Sequence, residues 1–181
     1  MTSPAMQQML DEFAILKVLQ RYSHGVDRCD RALLEGCYWD DATDDHGIYN
    51  GSAIGFVDFV IPLLLKSYSA TSHFLGQSLI TVSGNEAAAE TYVLAAQRLT
   101  DDSTPTMNML GGRYVDRFER RGGEWRIAAR RLLVDWIQNV NDGQLPQGAR
   151  GAALDMFENG ARDGTDQASA LYRQFLARGE G

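Results

Sequence analysis

Apolar residues Phe13, Ile15, Leu16, Leu19, Tyr22 and Val26 recur at three- and four-residue spacing, which predicts an amphipathic helix. That helix closes in a polar run from Tyr22 to Asp30. Asp30 is placed to cap a second helix over Arg31–Tyr38, since its carboxylate can accept from the free amides of a first turn. Asp27 has no comparable local task. It falls one residue past Val26, at the edge of the apolar face, where a carboxylate pointing partly inward needs a partner. His73 is the expected partner.

Thr43–Tyr49 looks like a short strand ended by the turn pair Asn50-Gly51. Ser52 can cap a third helix with the stripe Phe56, Phe59, Val60, Leu63 and Leu64, which Pro62 is expected to kink or divide. The period then changes from helical to alternating. Thr71–Val82 places His73, Leu75, Gln77 and Leu79 on one face and Phe74, Gly76, Ser78 and Ile80 on the other. Gly84-Asn85 turns the chain into a strand over Glu86–Leu99, and a loop of turn formers follows at 100–105. Thr106–Arg120 is the next strand, with Gly111-Gly112 marking a bulge or bend, and Gly122-Gly123 turns it into Trp125–Ile137. There Arg126, Ala128 and Arg130 are expected to face water, and Ile127, Ala129, Arg131 and Leu133 to face inward. Phe74, Ile80, Leu132, Val134 and Trp136 then make the outer sheet face apolar enough to predict a homo-oligomer, a dimer or a trimer.

Helices followed by a long antiparallel meander describe an α+β fold, with three N-terminal helices packed in a strongly bent sheet around a cone-shaped cavity. Residues 1–141 are expected to form one domain. Residues 142–181 form a tail, first rich in Gly and polar residues and then helical over Asp166–Arg178, with a stripe of Leu171, Tyr172, Phe175 and Leu176. Its expected role is a lid, an oligomer contact or a docked helix.

Composition narrows the class. The 181 residues carry 24 acidic and 17 basic side chains, net −7, and the basic ones are not gathered into a patch beyond Arg117–Arg121 and Arg130-Arg131, which argues against nucleic acid. No apolar run approaches the roughly 18 residues of a membrane span, and the start lacks a secretory pattern. Cys29 and Cys37 read as reduced core cysteines, so a cytoplasmic location is expected. The Asp40-Asp41 and Asp44-Asp45 pairs read as solvated loop charge. His24, His46 and His73 match no metal-ligand spacing, and neither metal nor cofactor is expected.

Several stretches together resemble the SnoaL-like branch of the nuclear-transport-factor-2-like (NTF2-like) superfamily over about residues 8–140. They are Tyr22 with Asp27, Trp39-Asp40-Asp41-Ala42, His46-Gly47 with Asn50-Gly51, Ser72-His73-Phe74-Leu75-Gly76, Gly112-Arg113-Tyr114 with Phe118-Glu119-Arg120, and Gly123-Glu124-Trp125-Arg126-Ile127. That branch includes scytalone dehydratase, hexachlorocyclohexane dehydrochlorinase, bile-acid 7α-dehydratase and cofactor-free lyases of lignin-derived diaryl compounds. The resemblance implies a catalytic dyad of Asp27 and His73, with Tyr22 at the position of a functional tyrosine. The dehydrochlorinase carries a basic residue four after its last-strand tryptophan. This chain has Ala129 there, which leaves Arg131 as the nearest inward candidate for stabilising an anion.

These residue types suit proton transfer. An imidazole ordinarily titrates near pH 6.5, and a carboxylate on one ring nitrogen fixes the tautomer and frees the other nitrogen as a base. Tyr22, Tyr49 and Tyr114 can donate hydrogen bonds, Arg113 or Arg131 can stabilise an oxyanion, and His46 can stand at the rim. Phe56, Val60, Leu75 and Met109 are expected to line an apolar hollow for a hydrophobic, aromatic or alicyclic small molecule. The expectation is a cofactor-independent lyase that expels water or formaldehyde. A ketosteroid-isomerase-like proton shuttle and a non-catalytic binding or assembly module are the alternatives.

Overall fold

Three helices and a six-stranded sheet build the computed structural model, which describes residues 2–100, 107–140, 161–166, 168, 170, 171 and 173. The loop expected after Thr100 lies outside the described residues, as do Tyr172, Phe175 and Leu176 of the expected tail stripe. Residues 168, 170, 171 and 173 are helical, and Leu171 is 54% exposed.

Helix α1 (Pro4–Arg28) starts where Ser3 accepts the Met6 amide and buries Ile15, Val18, Leu19, Tyr22 and Val26. Phe13, expected on that stripe, instead stands exposed under the Lys17 ammonium. The helix stops at Cys29, which adopts the left-handed conformation (φ 52°), while the amides of Cys29 and Asp30 return to the carbonyls of Val26 and Gly25. Asp30 caps α2 (Arg31–Glu35) as expected, accepting from the Leu33 amide at 3.0 Å. That helix is shorter than its apolar pattern predicts because Gly36 ends it and β1 (Tyr38–Asp45) begins at once. After β2 (Asn50–Ser52), Ser52 caps α3 (Ala53–Ser67), which runs through the exposed Pro62 as a single element.

Strands β3 (Tyr68–Ser83), β4 (Glu86–Leu99), β5 (Met107–Arg121) and β6 (Glu124–Val140) form an antiparallel meander, the last turn using Gly122 and Gly123 at φ 61° and 91°. The sheet order is β2-β1-β6-β5-β4-β3, and only the β1–β6 pairing is parallel. Asp11 pins the first half of α1 to the far end of the sheet, accepting from Trp125 Nε1 at 2.9 Å and Arg120 Nη1 at 2.8 Å.

Bulges decide which side chains reach the helices, because one extra residue swaps the two faces of a strand. On β3 the register shifts between Leu75 and Ser78. His73 and Leu75 therefore lean inward, but Ile80 and Val82 pack on the core and Leu79 is exposed, the reverse of the simple alternation. On β6, Arg117 pairs with Ala129 and Phe118 with Ile127, leaving Ala128 as the extra residue. Arg130 is consequently buried and Arg131 faces out, correcting the expectation for both. Leu132 turns to the core for the same reason.

A further shift falls between Gly111 and Gly112. A Cβ on Gly112 would lie 2.2 Å from the Leu133 carbonyl oxygen, a backbone atom that cannot yield alone. Gly112→Ala is expected to lower unfolding stability by roughly 1–3 kcal/mol, read from urea denaturation. An unchanged midpoint would show that the strands part there without cost.

Candidate active site

The left-handed stop at Cys29 leaves Asp27 in the last turn of α1, against β3. Its Oδ2 accepts the backbone N–H of His73 at 2.9 Å, and its Oδ1 meets His73 Nδ1 at 2.6 Å. One carboxylate thus fixes both the position of the strand and the rotation of the ring. An acceptor at Nδ1 places the proton there, so the neutral ring carries its lone pair on Nε2. That nitrogen has no hydrogen-bond partner among the described residues. The two side chains are 8% (His73) and 19% (Asp27) exposed.

A second carboxylate–imidazole pair stands at the end of β1. Asp44, fully buried, bonds His46 Nδ1 through Oδ1 and accepts from the Tyr38 hydroxyl at 2.6 Å through Oδ2. His46 stacks on Phe56 with centroids 4.2 Å apart, and its Nε2 lies 3.3 Å from the Tyr22 hydroxyl. Tyr22 meets Tyr38 and Tyr114 edge-on, and the Arg130 guanidinium lies 3.9 Å from the Tyr22 ring and 4.0 Å from that of Tyr114. Asp116 holds Arg130 by two bonds of 2.7 Å, with both side chains fully buried.

Burial pushes the phenols of Tyr22 and Tyr38 well above their ordinary range, and that of Tyr114 upward too, so all three are proton-bearing at neutral pH. The carboxylates of Asp44 and Asp27 both add to the rise at Tyr114, which sets this hydroxyl within the field of each histidine's partner. Burial also works against the charge on Arg130, but the Asp116 carboxylate more than offsets it and the guanidinium is held charged. Burial raises Asp116 against the pull of the same arginine.

The residues anticipated for the site divide in two. Tyr22, Tyr114, His46, Phe56, Asp27 and His73 face the interior, with Val60 and Leu75 packed at the core's edge. Tyr49 is a rim residue, bonded to the Ser52 carbonyl and stacked on Phe59. Three others are elsewhere. Arg131 is an exposed partner of Asp45 at 3.2 Å, turned outward by the bulge at Ala128. Arg113 lies on the outer face between Glu90 and Asp135, because its neighbour Tyr114 takes the inward position. Met109 shares the Arg113 side of β5 by alternation and is outside the core cluster.

Asp44, Asp116, Arg130 and Tyr38 were not expected here. The alternation of Ala42, Asp44 and His46 against Thr43 and Asp45 was the available signal for Asp44. Among the described residues no group of three or more His, Cys, Asp or Glu side chains is arranged for a metal ion.

A cleft of about 820 Å³ separates the outer face of α1 from the segment carrying Arg162, Asp163, Gly164 and Arg173, and reaches Arg28, Cys29 and Asp30 beside Asp27. Arg162 closes its floor, donating to the carbonyls of Leu64 and Tyr68 and to Thr71 Oγ1, two residues before His73. A shallower cleft of about 360 Å³ lies on the outer sheet face by Phe74, Tyr92 and Trp136. Neither is lined by His73, His46 or Tyr22.

A family model for the SnoaL-like domain matches residues 7–131. No curated protein matches the sequence significantly. Among solved structures, a type 2 hexachlorocyclohexane dehydrochlorinase (LinA) is similar with a TM-score of 0.68 at 21% identity, over 78% of this chain and 97% of the other. The Kfla4162 protein of Kribbella flavida gives 0.68 at 18%, over 73% and 95%. A candidate scytalone dehydratase from Novosphingobium aromaticivorans gives 0.66 at 18%, over 77% and 97%. At these identities the likeness is one of fold. No helix among the described residues is long and apolar enough to cross a membrane.

Proposed function

The chain belongs to the SnoaL-like domain family, and from that premise we propose that it is a cofactor-independent lyase expelling a small group, water or formaldehyde, from a hydrophobic, aromatic small molecule. The observation that carries this reading is the two-point grip of Asp27 on the His73 amide and ring, which leaves Nε2 as a positioned base. For water loss, Nε2 takes a proton from carbon, the C–H pair becomes the C=C bond, and the hydroxyl leaves as water with a proton from solvent or an interior phenol. For formaldehyde loss, Nε2 takes the hydroxyl proton, the O–H pair becomes the C=O bond of formaldehyde, and the C–C pair stays on the substrate carbon, which is then protonated. Asp27 stabilises the imidazolium that results. Tyr22 and Tyr114, proton-bearing and interior, are suited to hold the developing negative charge. The solved dehydrochlorinase and candidate dehydratase of the same fold support the reaction class by analogy. The apolar outer sheet residues Phe74, Leu79 and Trp136 support self-association.

Incubating the protein with a panel of aromatic and alicyclic alcohols and following masses is expected to reveal loss of water or of formaldehyde. Conversion at constant mass would replace the lyase by a proton-shuttling isomerase. A second reading, a ligand-binding module without catalysis, draws on the fact that neither cleft reaches His73. It predicts that the whole panel is recovered unchanged.

A further inference from the structure

Basic residues that lie far apart in the sequence are gathered by the fold around one cleft. On α1, Lys17, Arg21, His24 and Arg28 follow one another at spacings of four, three and four residues, which puts them on a single helix face. Lys17, Arg21 and His24 are exposed there, and Arg28 is partly buried. That face forms one wall of the cleft of about 820 Å³, and Arg162 and Arg173 belong to the wall opposite.

The opposite wall is a small loop that braces itself. The Ala161 amide donates to Asp166 at 2.9 Å, and the Asp163 carboxylate accepts from both the amide and the hydroxyl of Thr165. Gly164, at φ 76°, presents its carbonyl to Arg173 Nη1, which donates to it at 2.8 Å. Arg162 fixes the loop to the body of the protein through Leu64, Tyr68 and Thr71.

The charges of the lining do not cancel. Five cations, Lys17, Arg21, Arg28, Arg162 and Arg173, stand around two carboxylates, Asp30 and Asp163. Both carboxylates are already engaged by backbone amides, Asp30 by that of Leu33 and Asp163 by that of Thr165. Asp166 accepts from the Ala161 amide and lies 3.8 Å from Arg28 Nη1. The cations are held more loosely. Lys17 lies over the Phe13 ring, while Arg21 and Arg28 each reach a carbonyl at 3.5 Å, those of Gly36 and Ala161. Among the described residues no carboxylate lies within ion-pair distance of Lys17, Arg21, Arg162 or Arg173.

Like charges held around a concave surface repel one another, and low-dielectric walls concentrate their field. An anion that enters relieves that cost, whereas the chain as a whole, at net −7, repels it. Guanidinium groups match the paired oxygens of phosphates and carboxylates. From Lys17 to Arg28 the helix rises roughly 16 Å, so one anionic group cannot meet both ends. The volume suits a small molecule rather than a polymer. We propose that this cleft is a binding site for a small organic molecule carrying two or more phosphate or carboxylate groups. It lies on the outer face of α1, away from the interior where Asp27 meets His73, and its occupancy does not depend on what that pair does.

Calorimetry on the full chain at low salt, with inorganic phosphate, tripolyphosphate, acetate and citrate as probes, tests this. Tripolyphosphate or citrate is expected to bind once per chain, about 10-fold tighter or more than phosphate or acetate respectively. The tighter of the two tells a phosphate ligand from a carboxylate one. The double variant Lys17→Gln with Arg21→Gln changes only exposed side chains and should weaken that binding about 10-fold, with melting of the free protein unchanged. Arg131→Gln removes an exposed cation of the outer sheet and should leave the affinity as it is. NMR amide shifts on titration should fall on the last turns of α1 and on 161–166. Equal weakening by Arg131→Gln would reduce the effect to diffuse charge. That result, shifts elsewhere in the protein, or no binding of any probe would overturn the proposal.

Discussion

His73→Ala is expected to cut turnover roughly 1,000-fold or more while the protein keeps its secondary structure and cooperative melting, as read by steady-state kinetics beside circular dichroism. The ring's only polar anchor among the described residues is Asp27, so its removal leaves little unsatisfied except that carboxylate, which still holds the strand amide. Asp27→Asn is the sharper variant. Its single oxygen would stay on the His73 N–H, which places the amide NH2 opposite Nδ1. Nδ1 must then accept, the ring proton moves to Nε2, and the base is lost although every heavy atom stays in place. A loss comparable to that of His73→Ala follows. Full activity in either variant would dismiss the dyad.

Arg130→Met carries the largest expected cost in stability. It leaves the Asp116 carboxylate fully buried without its partner, for which a loss of about 3–5 kcal/mol in urea denaturation is expected. Arg130→Lys should recover little of it. A compact ammonium cannot repeat the two parallel bonds to Asp116 or lie flat between the rings of Tyr22 and Tyr114. The double variant Arg130→Met with Asp116→Leu should regain much of the loss, because no buried charge is then stranded. A single variant as stable as wild type would mean that water reaches the pair freely.

What the sequence discloses about this molecule follows from how local each signal is. The caps at Asp30 and Ser52, the helix end at Asp27 and the inward lean of His73 depend on neighbours a few residues away, and all are as expected. The errors trace to bulges. A residue added opposite Phe118 is silent in an alternating pattern of Arg and Ala, yet it exchanges Arg130 with Arg131. The shift after Leu75 likewise trades Leu79 for Ile80. Four positions after Trp125 stands Ala129, but with Ala128 the extra, buried residue of the bulge the inward basic residue is the fifth, Arg130. The pairing of Asp44 with His46 was legible as alternation. It was obscured because two adjacent aspartates look like surface charge, and only the core around Tyr38 and Tyr22 shows that one of them is buried.

The parallel pairing of β1 with β6 sets an order on assembly during synthesis. As the chain leaves the ribosome, the segment bearing Asp44 and His46 has only three-residue β2 to pair with until the last strand emerges. The helices and the β3–β5 meander can collapse earlier, but the His46 side of the interior stays open to water until then. Such long-range closure is slow, and the nascent protein passes through a stage in which an apolar trough is uncovered. Chaperone capture during translation would act on that stage, before Asp44 and His46 are closed off from water.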